Sequence, residues 1–431
     1  MNLEELPSEL IIVQALNLDL VSINHLCRTS NRFNEVICKR ENFWQQKFVI
    51  DWKFVPKLYT GSWKELYKHY GSVWVFGYNK FGKLGLGDRN TKPILLPNIK
   101  AKQVSSGLSH TVMIDLQDNI WVAGDNEFGQ LGLTNNGLGG LRLGQLGRLG
   151  FYDHEFRSIP TLLPNIKAKK ISAGRCHTMI IDFEDNIFVF GENEYGQLGV
   201  GDLNNKLIPT LIPNIKAKQV SAGGYHTSLI DLQDNVFVFG NNSCGQLGLG
   251  DRNNRLIPTL IPNIKAKQVS VGFYYTVLID LQNNVWGFGQ NVYGQLGLGD
   301  NNNRLIPTLL PNIKAKKISA GGGHTMLIDL ENNVWGFGNN SYGELGLGDC
   351  FDRLHPTLLL SNIQVKQVSG GNFHTVITDI QDNVYVFGSN AEGQLGLDDN
   401  NDRWIPTLLP KIKAQQVSAN SDHTFLIGTY I

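Results

Sequence analysis

Cysteine is scarce and unpatterned in this chain. The five residues, Cys27, Cys38, Cys176, Cys244 and Cys350, are odd in number and contain no C-x-x-C pair, which argues against a zinc site and a disulfide framework and for a reducing compartment. Net charge is missing as well. Thirty-eight basic residues balance 38 acidic ones, so no global field recommends nucleic acid or an acidic membrane as a partner. Long hydrophobic runs are also absent: Leu10 to Val13 is too short for a signal peptide or a membrane span. These absences favour an intracellular protein, cytoplasmic or nuclear, without a membrane partner.

What the chain does have is glycine, 47 residues of it, many of them in seven near-copies of Gly-x-Asn-x-x-Gly-Gln-Leu-Gly-Leu-Gly-Asp. The copies begin at Gly77, Gly124, Gly191, Gly240, Gly289, Gly338 and Gly388. A period of about fifty residues exceeds a leucine-rich or ankyrin unit and suits one propeller blade per repeat. Within Ile215 to Pro258 the apolar runs are short and bounded by Gly, Asn, Asp and Pro, the pattern of a small antiparallel sheet. Lys218 to Ala222 reads as strand A, His226 to Asp231 as B, Val236 to Gly240 as C and Leu256 to Ile261 as D, with the B-to-C turn at Gln233-Asp234-Asn235.

The array begins mid-unit with a C strand, Val73 to Gly77, and ends with A and B strands at Val417-Ser418 and His423 to Ile427. The two ends therefore complete one composite blade, and the expected fold is mainly β, a seven-bladed β-propeller over residues 71–431. The glycine loops and the pairs His110-Thr111, His177-Thr178, His226-Thr227, His324-Thr325, His374-Thr375 and His423-Thr424 resemble the regulator-of-chromosome-condensation family. The fourth such position is Tyr275-Thr276.

Residues 1–48 differ in kind, with no glycine before Gly61. Leu6-Pro7-Ser8-Glu9-Leu10 opens a helix, and apolar stripes through Leu16, Leu20 and Leu26 follow. The Leu-Pro-x-Glu-Leu opening, Cys27-Arg28-x-x-x-Arg32-Phe33 and Trp44 resemble an F-box. Residues 49–70 read as a helical linker, with a short helix at Ser62 to Tyr67.

No residue is expected to be catalytic. Six histidines at one repeated position read as hydrogen bonds between neighbouring blades, and a seven-fold ring is too wide to converge on one metal ion at about 2 Å. The glycine loops lack the Lys-Ser/Thr of a phosphate loop. Asp300 to Asn303 and Asp398 to Asp402 lack the later Gly and Glu of a calcium loop and read as turns. Neither cofactor nor metal is expected. The aromatic at the second position of each C strand, Trp74, Trp121, Phe188, Phe237, Trp286, Trp335 and Tyr385, is expected between blades. Lysines in repeated Ile-Lys-Ala-Lys segments fall on the same face as Asp118, Asp185, Asp234 and Asp382, so mutual neutralisation is expected and nucleic acid is disfavoured.

Selectivity is sought where the copies differ. The A-to-B loops carry Arg175, Tyr225, Phe273, Tyr274 and Phe373, candidates for a partner-binding rim at one mouth of the ring. An insertion over residues 135–156 reads as a partial duplication. The F-box resemblance implies a substrate-recruiting adaptor of a Skp-cullin-F-box ubiquitin ligase, with Leu6, Pro7, Leu10, Leu16, Leu20 and Leu26 as contacts to the Skp-type protein or as their support, and an unknown protein target on the propeller. The propeller resemblance also admits a guanine-nucleotide exchange factor for a Ran-like GTPase, or a scaffold without catalysis.

Overall fold

The computed structural model describes residues 7–18, 20–52, 62, 64, 70–86, 90–133, 156–359 and 363–430. Leu6, the side chain of Leu20, most of the expected linking helix and all of the insertion but Phe156 lie outside them. The chain divides into a helical unit, reaching Ser72 and including Gly428–Tyr430, and a β unit over Val73–Ile427.

Four helices open the chain: α1 (Ser8–Leu16), α2 (Leu20–Thr29), α3 (Asn31–Phe33) running into a π-helical turn at Asn34–Cys38, and α4 (Glu41–Trp52). Pro7 sits at the cap of α1, where its lack of an N–H costs nothing, and its carbonyl receives the amides of Leu10 and Ile11. Ser30 caps α3 by accepting from Phe33 N at 3.4 Å. Ile11, Ala15, Ile23, Phe33, Val36, Ile37, Phe43 and Trp44 form one buried core. The indole N–H of Trp44, fully buried, donates to the Cys38 carbonyl at 3.1 Å. Cys27 and Cys38 form a disulfide, which corrects the expectation of none. The π-helical turn folds back on α2 and leaves their Cα atoms 6.3 Å apart, within bridging range; an eleven-residue spacing carries no such signal in the sequence.

The β unit repeats one motif. Strand B (His226–Asp231) pairs with strand C (Asn235–Gly240) in the register Leu229↔Phe237. Their turn is built by Asp231, whose Oδ1 accepts from Gln233 N and Asn235 N at 2.8 Å each, while Asp234 takes φ 71°, a region that Asp tolerates better than most residues. Strands D and A, expected as separate elements, run together as Arg255–Val271. The bend between them is taken up by Asn263 at φ 59°, and Asn98, Asn165, Asn214 and Asn312 do the same in other copies. The glycine that opens each copy is required: Gly240 has φ +100°, and a Cβ there would lie 2.6 Å from the Tyr225 carbonyl.

Hydrogen-bonded strands form a ten-stranded and a thirteen-stranded sheet, interrupted between Lys167 and Lys170 and between Leu358 and Val365. The last strand, His423–Tyr430, lies beside the first, Ser72–Gly77. Tyr78 N donates to Asp422 O at 2.8 Å, the same bond that Asn241 N makes to Tyr225 O at 2.9 Å inside the array. The A strands are linked by serine. Hydroxyls of Ser105, Ser172, Ser221, Ser270, Ser319, Ser369 and Ser418 accept from the amides of Ala173, Ala222, Val271, Ala320, Gly370, Ala419 and Ser106. The last link returns to the first A strand, so among the described residues the chain of bonds is cyclic. The fold is mainly β and propeller-type.

The core lies between successive sheets. One layer joins Val236, Val238, Leu247, Ile261, Ala266 and Leu278 to Phe288 of the next copy. Phe76, Phe190, Phe239, Phe288, Phe337 and Phe387, two residues beyond the expected aromatic positions, are the fully buried ones. The expected positions are half-buried and pack against the same layers between successive sheets. Trp121, Trp286 and Trp335 there also turn their indole N–H to Asp115, Asp280 and Asp329 at 2.9–3.0 Å, because they lie on the same strand face as the fully buried position but two residues nearer the B-to-C turn.

Candidate functional site

The mouth of the ring is framed by rigid backbone. Most A-to-B loops are tied to the next: Leu108 N to Gly174 O, Arg175 N to Gly223 O, Gly224 N to Gly272 O, Gly322 N to Gly371 O and Asn372 N to Ser421 O. The glycine that opens these loops admits no side chain; a Cβ on Gly223 would lie 2.3 Å from Val271 Cγ1. Glycines and the A-strand serines line a central cavity of about 160 Å³, with Arg175, Phe273 and Asn372 also on its wall.

Beneath the loops the repeated histidines bind the next copy. His110, His177, His226, His324 and His374 hold Thr178, Thr227, Thr276, Thr375 and Thr424 through Nε2 at 2.9–3.0 Å. Tyr275 stands in for histidine, donating to the His324 carbonyl and accepting from Thr325 Oγ1 at 3.1 Å. The imidazoles are buried and neutral. Burial pushes His110, His226 and His374 down to about 3 and His177 and His324 to about 4, which removes them from acid-base work near neutrality. His423, at the seam between the chain ends, has neither ring nitrogen bonded among the described residues. There Gln416 bridges to both backbone groups of Val104, and Asn420 donates to Ser106 O at 2.6 Å.

Four of the five expected rim residues converge. The Arg175 guanidinium lies 4.6 Å from the centre of the Tyr225 ring, a cation–π distance. Tyr225 stacks on Tyr274 at 5.8 Å and meets Phe273 at 6.2 Å, and Phe273 touches Tyr274 at 5.5 Å. Phe373 does not join them; it pairs with Tyr342 at 5.2 Å, and both rings are about two-fifths exposed. Tyr195 completes the first cluster, edge-on to Tyr225 at 5.2 Å. Sequence reasoning missed Tyr195 and Tyr342, although a signal exists. They occupy the variable position just before the second loop glycine, held elsewhere by Phe81, Phe128, Cys244, Tyr293 and Glu392.

Electrostatics at the mouth are uneven. Burial raises the Glu192 carboxyl, with Arg175 acting against it. The Cys176 thiol is pushed up to about 12 by burial, so it is no nucleophile. At the loop position that is glutamine in five copies, Glu344 and Lys83 are buried. Burial lifts Glu344 to about 7 and lowers Lys83 to about 8, and the Lys83 ammonium donates to Leu108 O at 3.0 Å. On the suggested calcium turns, the carboxylates of Asp300 and Asp399 are taken up by Arg304 and Arg403 at 2.6 Å.

In the helical unit, Pro7 and Leu10 face outward, Leu10 being 49% exposed, with Val13 and Ile50 also exposed. Leu16 and Leu26 are half-buried and pack against the core. No helix among the described residues is long and apolar enough to cross a membrane.

The sequence profile of the RCC1-like domain matches residues 59–313, and the regulator of chromosome condensation (RCC1) repeat matches 331–378 and 381–427. Over 129 residues, 28% of the chain, it is 30% identical to the probable E3 ubiquitin-protein ligase HERC4 of Homo sapiens, and the match spans 10% of that protein. Among solved structures, human WBSCR16 aligns with a TM-score of 0.72 at 21% identity, over 84% of this chain and 99% of that one. Prp20p from Saccharomyces cerevisiae aligns with a TM-score of 0.73 at 19% identity, over 84% and 92%. At such identities the structural likeness concerns the fold.

Proposed function

The chain belongs to the RCC1-like domain family, and on that premise we propose that it is a non-catalytic adaptor, a protein-interaction propeller carried by an F-box-like helical domain. In this reading residues 1–48 dock a Skp-type protein of a cullin ubiquitin ligase, 49–70 connect, and 71–431 form seven blades closed by the terminal strands. The cycle of seven serine bonds supports the blade count. The observation that carries the function is the Arg175, Tyr195, Tyr225, Phe273 and Tyr274 cluster at the mouth. Stacked aromatics around an arginine are the side chains that anchor protein partners at interfaces, and here rigid loops hold them without a reactive group beside them. Leu6, Pro7, Leu10 and Leu20 would meet the Skp-type protein. Intracellular placement, cytoplasmic or nuclear, goes with this reading, and the Cys27–Cys38 disulfide is the observation against it.

The test is affinity purification of the full chain and two double variants. Pro7→Ala with Leu10→Ala should lose the Skp-type protein and cullin by at least about tenfold, at 1–2 kcal/mol per anchor, with an unchanged melting temperature. Phe273→Ala with Tyr274→Ala should keep both and lose the target. Absence of Skp and cullin from the wild-type purification refutes the adaptor role. Retention of a small GTPase with accelerated nucleotide exchange would install the exchange-factor reading in its place.

A further inference from the structure

The face opposite the mouth, where the B-to-C turns lie, is neutralised unevenly. Six lysines occupy one repeated position at the start of strand A. Lys102, Lys169, Lys218 and Lys366 meet Asp118, Asp185, Asp234 and Asp382, as neutralisation requires. Lys267 and Lys316 instead meet the amide oxygens of Asn283 and Asn332. An amide accepts a hydrogen bond and cancels no charge. The two exceptions fall in adjacent copies. Around them Lys265 and Lys314 donate to the carbonyls of Gln233 and Gln282, and Lys317 to that of Lys366, so these charges too are uncompensated by their partners. The one exposed carboxylate on the two turns is Glu331, since Asp280 and Asp329 turn inward to Asn284, Asn333 and the tryptophan indoles. Leu281 and Leu330 stand exposed at the turn tips, at 43% and 51%.

We propose that this two-copy patch, Lys265, Lys267, Lys314, Lys316 and Lys317 with Leu281 and Leu330, docks a short acidic segment of a partner protein. Charge complementarity names the occupant, and the neighbouring copies limit its length. To either side Lys218 and Lys366 are paired with Asp234 and Asp382, so an extended polyanion such as duplex DNA would run off the patch onto lysines whose charge is already cancelled, whereas a peptide of a few acidic residues fits within it. The paired copies also show that aspartate is structurally acceptable at the two odd positions: Asp118, Asp234 and Asp382 hold φ 71–72°, and Asn283 and Asn332 hold 70–71°.

The test uses the full chain and a fluorescein-labelled deca-glutamate peptide read by anisotropy at low and moderate salt. Wild type should bind, and raising the salt should weaken binding through screening. Asn283→Asp with Asn332→Asp, which leaves every lysine in place, should weaken binding about tenfold by neutralising the pair. Asp234→Asn, which unmasks Lys218, should tighten it. Phe273→Ala with Tyr274→Ala at the mouth should leave it unchanged, which separates this surface from the proposed target rim. The idea is overturned if wild type fails to bind the peptide, if the double aspartate variant binds as well as wild type, or if a DNA duplex of similar charge is bound in preference.

Discussion

Lowering the pH from about 7 to about 5 should unfold the ring, and the buried histidines set the size of the effect. Each has an ordinary pKa of 6.5 when unfolded and about 3 to 4 in the fold, with His423 also well below 6.5. Below 6.5 the unfolded chain therefore binds more protons than the folded one, and stability falls as the pH falls until the folded values are reached. Across those two pH units each of the five histidines at about 3 to 4 costs roughly 2 kcal/mol, so together they remove roughly 9 kcal/mol, and His423 acts in the same direction. Glu344 acts in the opposite sense. Its carboxyl, raised to about 7 in the fold from 4.5, takes up a proton more readily when folded and returns roughly 2 kcal/mol over the same interval. The balance is comparable to the whole stability of a typical domain, about 5–15 kcal/mol. Thermal melts by circular dichroism at intervals of half a pH unit should show a steep fall in melting temperature, and His226→Gln should make it shallower. A melting temperature that stays level from pH 7 to 5 would refute the claim that these imidazoles are held neutral by burial.

Two further outcomes follow from the packing. Phe239→Ala, which empties a fully buried ring position between successive sheets, should cost about 3–5 kcal/mol in urea unfolding; a cost near that of an exposed site would mean the layer is not the core. Deleting residues 415–431 should abolish cooperative melting of the ring, because it removes Gln416, Ser418 and Asn420 from the seam with Val104 and Ser106 and leaves open strand edges. Deleting residues 1–52 should leave that transition in place.

Much of the architecture was legible because it is local and repeated. The Asp-x-x-x-Asn turn between B and C can be read from any one copy, and seven copies in phase remove the ambiguity a single short strand would leave. The pairing of the terminal strands followed from arithmetic, since a C strand without a B needs one from elsewhere. The histidine positions were readable as structural for the same reason, as a residue that recurs at one place in six of seven copies serves the frame.

Where reading fell short, the missing information was which side chain of one copy lies beside which side chain of another. Tyr195 and Tyr225 come from different variable positions thirty residues apart, and only the ring sets them edge to face. Cys27 and Cys38 meet because a π-helical turn, invisible in composition, folds back on α2. The aromatic at the second place of strand C and the phenylalanine two residues on share one strand face and one core layer, yet the height of each along the strand leaves the first half-buried near the turn and the second fully buried. The sequence by itself determined the repeat, most of its strands and the pairing of its terminal strands, because those follow from a short pattern repeated in phase. Tertiary structure alone decided the composition of the rim and the pairing of each lysine with an acid or an amide, because both depend on distances between residues far apart in the chain.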